Sequence, residues 1–299
     1  MLKALLLPSG DLSNPVFRLE SRRLRWGNAN YHFLRFSLRA ASILVGFIYT
    51  CWLLFAISSS YFNLLATIQN VAAITFVISI AADFFIDLIS MTFTITAISG
   101  EINVKHWDLV RLSLLDRESI IKAKHAIANI RVWRMMAVVW LLRCLTAALF
   151  VLMYFIPTQY DGRPLISNVL RSLVTNPFEV IFVFATLITF AAIYLIEPKW
   201  RMSAQTALGL AISARMHNTL NAGLAALAVI VVIWTVQIII LALYAWMTVN
   251  LLMDVRNPVV AFCFLFLACG GTALTVRVFY SALRQWALDY ALRHAFKYD

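Results

Sequence analysis

The chain contains six long runs of apolar residues, separated by short stretches that carry nearly all of its charges. A helix needs about 20 mostly apolar residues to cross a hydrocarbon core about 30 Å thick, and the runs match that length. They lack the period-two alternation of barrel strands, and a backbone in lipid must satisfy its hydrogen bonds internally, so each run predicts a helix. We predict an all-α integral membrane protein with spans near residues 40–59, 66–97, 135–157, 178–196, 222–248 and 258–279.

Composition agrees with this prediction. Hydrophobic residues make up 62% of the chain and charged residues 13%, whereas soluble domains have about 45–50% apolar and about 25% charged residues. A soluble fold of 299 residues could not bury that much apolar surface. In a bilayer it need not do so, because lipid tails are as apolar as leucine.

Lysine and arginine are concentrated on one side of the predicted membrane. Residues 1–39 and residues 99–134 each hold seven of them, and Arg143 lies inside a span. The opposite side holds only Arg163, Arg171 and Arg256. The positive-inside rule therefore places both termini in the cytoplasm. The net charge of +11 predicts contact with anionic lipid headgroups, and no basic module with interleaved aromatics indicates nucleic-acid binding.

Three regions follow from these spans: a cytoplasmic segment 1–39, a transmembrane domain 40–279 and an amphipathic C-terminal segment 280–299. In the first, Asn14 can cap a helix that has Pro15 at its first position. Alternating apolar residues and arginines then predict an amphipathic helix in the membrane interface, and a plain interfacial anchor explains the pattern equally well. The C-terminal segment either continues span six or lies on the surface.

The loop 99–134 is the longest cytoplasmic connection. Its apolar spacing predicts a short helix over residues 104–114. Asp116 is placed to cap a second helix, with Glu118 and Ser119 in the first turn, which runs into span three. We therefore predict a folded loop with charged faces and not a floppy linker. A compact element of this kind suits the transfer of movement to a soluble partner.

These segments contain a series of short motifs in a fixed order. An asparagine–proline step precedes a glutamate and an arginine-rich interfacial helix. After span two come an isoleucine–serine–x–glutamate segment, a leucine-rich stretch and a glutamate–x–isoleucine step that ends at a lysine. The residues are Asn14, Pro15, Glu20, Arg22, Arg23 and Arg25, then Ile98, Ser99 and Glu101, then Leu112, Leu114 and Leu115, then Arg117, Glu118, Ile120 and Lys124. In this order the motifs resemble those of the permease subunits of ABC-2-type ABC exporters.

The resemblance implies a transport function in which the ATP chemistry belongs to another subunit. In that family, two six-span subunits enclose a translocation path, which predicts a homodimer or a heterodimer with a related permease in the plasma (bacterial inner) membrane. A separate ABC ATPase, holding ATP and Mg, contacts the loop after span two. The chain lacks a Walker A sequence, so it cannot be that ATPase. The residues implied for coupling are Glu101, Trp107, Asp108, Arg111, Arg117, Glu118 and Lys124.

A second function is left open by the same features. The chain could be a non-transporting structural or accessory subunit of a larger membrane complex, built on the same six-span frame. Recovery of an ATPase with the purified chain separates the two functions.

Charges inside the spans form another candidate site. Asp83 and Asp87 are four residues apart in span two and therefore share a helix face. Arg143 lies at a similar depth in span three, so we predict an ion pair between Asp87 and Arg143 with Asp83 nearby. Buried membrane charges are paired by default. The pair either fixes helix packing or belongs to a substrate or proton path.

No catalytic constellation is evident in the sequence, and we predict that the chain is not an enzyme. The five histidines, which include His125, fall in cytoplasmic segments without metal-ligand spacing and are predicted at the surface. The four cysteines, which include Cys144, fall in spans without a CxxC pair, and we interpret them as small buried apolar residues.

Overall fold

The described part of the chain is almost entirely helical. The computed structural model describes residues 14–18, 64–103, 107, 115–153, 177–216, 218–254 and 258–296, and these contain no β-strand, which confirms the all-α prediction for them. Predicted span 40–59 and, apart from Trp107, the predicted helix over 104–114 lie outside the described residues. The helices are α1 (Leu64–Thr94), α2 (Ser99–Asn103), α3 (Arg117–Met153), α4 (Pro177–Arg215), α5 (Thr219–Asp254) and α6 (Pro258–Ala295).

Two of the described helical stretches are long and apolar enough to cross a membrane, namely Ile68–Ile102 and Thr219–Tyr244. They coincide with predicted spans two and five. Helix α3 bends by 50° between Trp133 and Met135, and it makes a third candidate when its two parts are counted as one span. These helices are the structural basis for treating the chain as a membrane protein.

Helices α3, α4 and α6 are much longer than a bilayer requires. They contain 37, 39 and 38 residues, and at about 1.5 Å per residue each is roughly 55–58 Å long. Because a hydrocarbon core is about 30 Å thick, a helix of this length that crosses a bilayer extends well beyond it. Helix α3 begins directly after Asp116, as predicted, and continues through its bend into residues 135–153. Helix α6 likewise continues from residue 258 into the C-terminal segment.

Helices α4 and α6 run in the same direction and pack against each other more extensively than any other pair described. Tyr280 contacts Glu197, and further along both helices Arg215 donates a hydrogen bond to Tyr290. Small residues line the interface and let the two backbones approach closely. The buried alanines are Ala204, Ala207, Ala211 and Ala214 of α4 and Ala287, Ala291 and Ala295 of α6.

Helix α1 approaches α4 closely at Gly209. A Cβ atom at this position would lie 1.7 Å from Thr94 Oγ1 and 2.7 Å from Thr94 Cβ, so only glycine fits without a shift of α1. One turn further along α4, the Ser213 hydroxyl accepts hydrogen bonds from the backbone N–H groups of Ile98 and Ser99, at 2.9 and 3.0 Å. Ser213 thus satisfies backbone donors where α1 ends and α2 begins.

Large apolar side chains cover the outer faces of α1 and α5. Such a surface would be a liability in water but is the expected outer surface of a helix in lipid. The fold therefore keeps its polar side chains for the contacts between helices. Examples of exposed residues are Ile74, Val77 and Phe85 of α1 and Leu224, Val232, Ile238 and Leu243 of α5.

Candidate functional site

Five charged side chains meet between α1, α3 and α4, and we call them the ion cluster: Asp83, Asp87, Arg143, Glu197 and Arg201. None of them is more than 4% exposed. The spacing along the helices explains the arrangement, because the two aspartates are four residues apart on α1, and Glu197 and Arg201 are four apart on α4. Each pair therefore projects from one face of its helix toward the other helix.

Arg201 lies at the centre of the ion cluster and contacts all three carboxylates. Its NH2 is 2.9 Å from Asp83 Oδ1, its Nε is 3.3 Å from Asp87 Oδ2, and its NH1 is 3.3 Å from Glu197 Oε1. Arg143 forms a second bridge, to Asp83 Oδ2 and, at 3.3 Å, to Glu197 Oε2. Arg143 also donates a hydrogen bond to the backbone carbonyl of Tyr194.

The predicted ion pair between Asp87 and Arg143 is wrong, because each of the two residues pairs with other partners. Arg143 pairs with Asp83 and Glu197, whereas Asp87 pairs with Arg201. The physical reason is that α4 supplies charges of its own to the interface between α1 and α3. Arg201 follows predicted span four, where the positive-inside rule places it among the cytoplasmic charges, but it is 2% exposed and contacts three carboxylates.

Helices α5 and α6 add neutral donors to the ion cluster. Trp234 Nε1 donates to Asp87 Oδ2 at 2.9 Å, and Gln237 Nε2 donates to Glu197 Oε1 at 3.2 Å. The Tyr280 hydroxyl lies 3.1 Å from the same Glu197 oxygen. The cluster thereby joins all five long helices that the structure describes. The only signal for these residues in the sequence is that each is a polar group within or at the edge of an apolar run.

The ion cluster is a polar core whose paired charges hold the helices in fixed positions. Breaking one buried pair by removing a partner costs about 3–5 kcal/mol, because the remaining charge stays buried without compensation. Helices joined in this way can move only if their charges exchange partners together. Among the described residues, no group of three or more His, Cys, Asp or Glu could hold a metal ion.

The second candidate region is the loop platform, which we define as residues 14–18, 99–103, 107 and 117–130. Asn14 caps the short helix over 15–18, as predicted, because its Oδ1 accepts from Val16 N at 3.0 Å. Its Nδ2 donates to the Ser119 carbonyl at 2.8 Å, which fixes the N-terminal segment to the start of α3. Phe17 is buried in a cluster with Ala123, Ile127 and Ile130 of α3.

An ion pair and an aromatic contact complete the loop platform. Lys124 Nζ lies 2.7 Å from Glu101 Oε1, and this pair joins α3 to α2. Trp107 is 3% exposed, and its Nε1 donates to the Ala295 carbonyl at 3.0 Å. The Trp107 ring also packs on Phe296, with centroids 5.5 Å apart. The loop platform is therefore attached to the end of α6 as well as to α3.

The remaining predicted site residues are either exposed or outside the part of the chain that the structure describes. Arg117 and Glu118 are exposed at the start of α3. The Arg117 guanidinium lies 5.2 Å from the Phe296 ring centroid, and Glu118 pairs with Lys122. Pro15 is the first residue of its short helix. Glu20, Arg22, Arg23, Arg25, Asp108 and Arg111 lie outside the described residues.

His125 is buried, which corrects the prediction of a surface histidine. Its Nε2 donates to the Ser203 carbonyl at 2.9 Å, and Asn129 lies beside its ring. Thr206 donates to Asn129 Oδ1 at 2.6 Å, so these polar groups join α3 to α4. Burial lowers the pKa of His125 to about 4, and the side chain is neutral at pH 7.

Cys144 is exposed on α3, contrary to the prediction of a buried residue. The ion cluster and the loop platform share this helix, because Lys124 and Arg143 both belong to α3.

No family model, no curated protein and no solved structure matches this chain.

Proposed function

We propose that the chain is the permease subunit of an ATP-driven exporter of the ABC-2 type. In this proposal it has six spans, both termini lie in the cytoplasm, and it forms the translocation path in the plasma (bacterial inner) membrane. A second copy or a related permease completes that path. A separate ABC ATPase, which holds ATP and Mg, binds the loop platform and drives transport.

The observation that carries the proposal is the assembly of the loop platform from residues that lie far apart in the sequence. Asn14 and Ser119 are 105 residues apart and are joined by a hydrogen bond. Glu101 and Lys124 are 23 residues apart and form an ion pair. Because a passive linker would not need such contacts, they support a folded element that transmits force. Three of these four residues, Asn14, Glu101 and Lys124, also belong to the resemblance.

The helices that leave the loop platform lead directly to the ion cluster. Helix α3 extends from Arg117 to Met153, with a bend of 50° between Trp133 and Met135, and carries Arg143 of the cluster. Helix α1, which carries Asp83 and Asp87, ends at the turn that precedes α2 and Glu101. A displacement of the platform would therefore reach the cluster along two routes. This arrangement suits a permease whose membrane helices respond to an ATPase.

The exposed start of α3 is the surface that we assign to the ATPase. Arg117 and Glu118 are exposed, whereas Lys124 and Trp107 are buried inside the platform. The first two can therefore contact a partner, and the last two hold the platform together. This division makes it possible to remove the partner contact without unfolding the platform.

Co-purification tests the proposal. A tagged chain is isolated from native membranes in a mild detergent, and its partners are identified by mass spectrometry. We expect a subunit with a Walker A sequence in the wild-type preparation and its loss from the Arg117→Glu, Glu118→Lys double variant. Arg131→Glu, a change at an exposed position further along α3, is the matched control and should retain the partner.

Recovery of the chain without an ATPase would contradict the proposal. If the wild-type chain is recovered folded and no subunit with a Walker A sequence accompanies it, the exporter function is excluded. The alternative, a non-transporting structural or accessory subunit, is then favoured. The ion cluster gives that alternative its specific support, because buried and mutually paired charges also suit a purely structural scaffold.

A further inference from the structure

The three carboxylates of the ion cluster are not equally supplied with donors. Glu197 is the best supplied. Its Oε1 lies 3.1 Å from the Tyr280 hydroxyl, 3.2 Å from Gln237 Nε2 and 3.3 Å from Arg201 NH1. Its Oε2 lies 3.3 Å from Arg143 NH2. Both oxygens of Glu197 are thus compensated as an ionised carboxylate requires.

Asp83 is also compensated on both oxygens. Its Oδ1 lies 2.9 Å from Arg201 NH2, and its Oδ2 is bridged by Arg143. Each oxygen therefore faces a guanidinium group. Asp83 Oδ1 makes no hydrogen bond within the described residues, but the Arg201 guanidinium nitrogen at 2.9 Å compensates its charge.

Asp87 differs, because the donors that contact it both lie at the same oxygen, Oδ2, and only one of them is a guanidinium group. Oδ2 accepts from Trp234 Nε1 at 2.9 Å and lies 3.3 Å from Arg201 Nε. Oδ1 is buried and has no hydrogen-bond partner among the residues that the structure describes. An ionised carboxylate with a bare oxygen in a buried site is costly, whereas a protonated carboxyl carries its hydrogen on that oxygen.

The net charge of the ion cluster also favours a protonated carboxyl group. Three carboxylates face two guanidinium groups, so full ionisation would leave a net negative charge in a site that is at most 4% exposed. Within the described residues, the other side chains that donate hydrogen bonds to its carboxylates are neutral. They are Trp234 and Gln237 of α5 and Tyr280 of α6.

We propose that the ion cluster is a proton-binding site and that the exchangeable proton resides on Asp87 Oδ1. Binding of the proton neutralises the surplus charge and satisfies the bare oxygen in one step. Gln205 supplies a further polar group one turn after Arg201 on α4. It is fully buried, and neither its amide nitrogen nor its oxygen has a partner within the described residues. The same face of α4 therefore carries a buried donor and a buried acceptor that are unused within the described residues.

The test uses the full chain in lipid nanodiscs and two matched amide variants. Asp87→Asn mimics the protonated carboxyl, whereas Asp83→Asn removes a carboxylate that is paired on both sides. At neutral pH we expect the infrared carbonyl band of a protonated carboxyl in the wild type and its absence in Asp87→Asn. We expect the thermal unfolding midpoint of Asp87→Asn to equal that of the wild type and the midpoint of Asp83→Asn to fall.

The pH dependence supplies an independent measurement. An unfolded aspartate is ionised at neutral pH, so a proton that is held only in the folded state stabilises it less as the pH rises. The unfolding midpoint of the wild type should therefore fall relative to that of Asp87→Asn between pH 5 and pH 8. Parallel curves for the two proteins would overturn the proposal.

Two further outcomes also contradict it. One is the absence of a protonated-carboxyl band in the wild type together with equal destabilisation by the two variants. The other is an unfolding midpoint that rises with Na⁺ or K⁺ relative to choline in the wild type alone, since a metal cation and not a proton would then neutralise the cluster. None of these measurements needs an ATPase, so the proton site and the exporter function can fail separately.

Discussion

The ion cluster and the loop platform join helices by opposite means. The cluster joins five helices through charges and hydrogen bonds, and its apolar surroundings face outward. The platform is built mainly from buried apolar and aromatic side chains, such as Phe17 and Trp107, and its charges at Arg117 and Glu118 face outward. The same chain therefore has a polar core in the ion cluster and a mainly apolar core in the loop platform.

The proposed topology, in which the cluster lies within the bilayer and the platform beyond it, explains the difference by the solvent around each region. Apolar side chains gain nothing by packing together in lipid, where the tails are equally apolar, so polar contacts and close packing must hold the helices together. Beyond the bilayer, apolar burial again contributes about 25 cal/mol per Å² and charges are well solvated. The comparison predicts that charge removal is most costly in the cluster and less costly in the platform.

The largest effect is expected from Arg201→Met. The variant leaves three carboxylates with a single guanidinium, and loss of one partner of a buried pair costs about 3–5 kcal/mol. We expect little folded protein, measured by fluorescence-detected size exclusion and thermal unfolding in nanodiscs. The control, Arg131→Met, changes an exposed residue of α3 and should stay within about 0.5 kcal/mol of the wild type. Equal stability of the two variants would remove the distinction between the regions.

A smaller loss is expected from Lys124→Met in the loop platform. This change removes a charge-assisted hydrogen bond to Glu101, which is partly exposed and can turn to water, at a cost of about 1.5–3 kcal/mol. The matched control is Lys122→Met, which breaks an exposed pair with Glu118 and should have little effect. Proteolysis rates of the loop report the difference, and identical rates would show that the Glu101 contact is not structural.

Gly209→Ala tests the contact between α1 and α4 that lies between the two regions. The added Cβ meets Thr94 at 1.7 Å, and overpacking of this kind costs about 1–3 kcal/mol. Gly223→Ala in α5 is the control, because nothing lies within 4 Å of its added Cβ. That control should leave stability unchanged or raise it by about 0.5–1 kcal/mol. Thermal unfolding in nanodiscs measures both.

The smallest effect at neutral pH concerns His125. Its pKa is lowered by burial to about 4, whereas an unfolded histidine titrates near about 6.5. The unfolded state therefore binds the proton first. Stability is complete above pH 6.5 and is lost toward pH 4, by at most about 1.4 kcal/mol per pH unit. In His125→Gln this slope should be reduced, as measured by unfolding at several pH values. An unchanged slope would show that His125 is not held neutral in the fold.

The sequence was sufficient where the signal is local. Asn14 and Pro15 identify the start of the short helix, and Asp116 identifies the start of α3, because caps depend on neighbouring residues alone. The apolar runs likewise identify the membrane helices, although the number of spans and the position of the termini stay predictions. The shared face of Asp83 and Asp87 follows from helical periodicity.

The ion-pair partners could not be obtained in the same way. Arg201 follows an apolar run and looks like an ordinary charge at the end of a span. Only the packing of α4 between α1 and α3 shows that it is buried. His125 was misplaced for the same reason, because its burial depends on the contact between α3 and α4. Pairing across helices is set by the rotation and depth of each helix, and neither is encoded in local spacing.

ATP hydrolysis tests most directly whether the loop platform couples an ATPase to the membrane helices. The complex is purified through a tag on this chain, placed in nanodiscs and assayed for Mg-dependent hydrolysis. We predict turnover in the wild type and in the Arg131→Met control. We predict reduced turnover at unchanged subunit ratio in Trp107→Ala, which detaches the platform from Ala295 and Phe296. A folded preparation without ATP turnover, or equal turnover in all three proteins, would contradict the account.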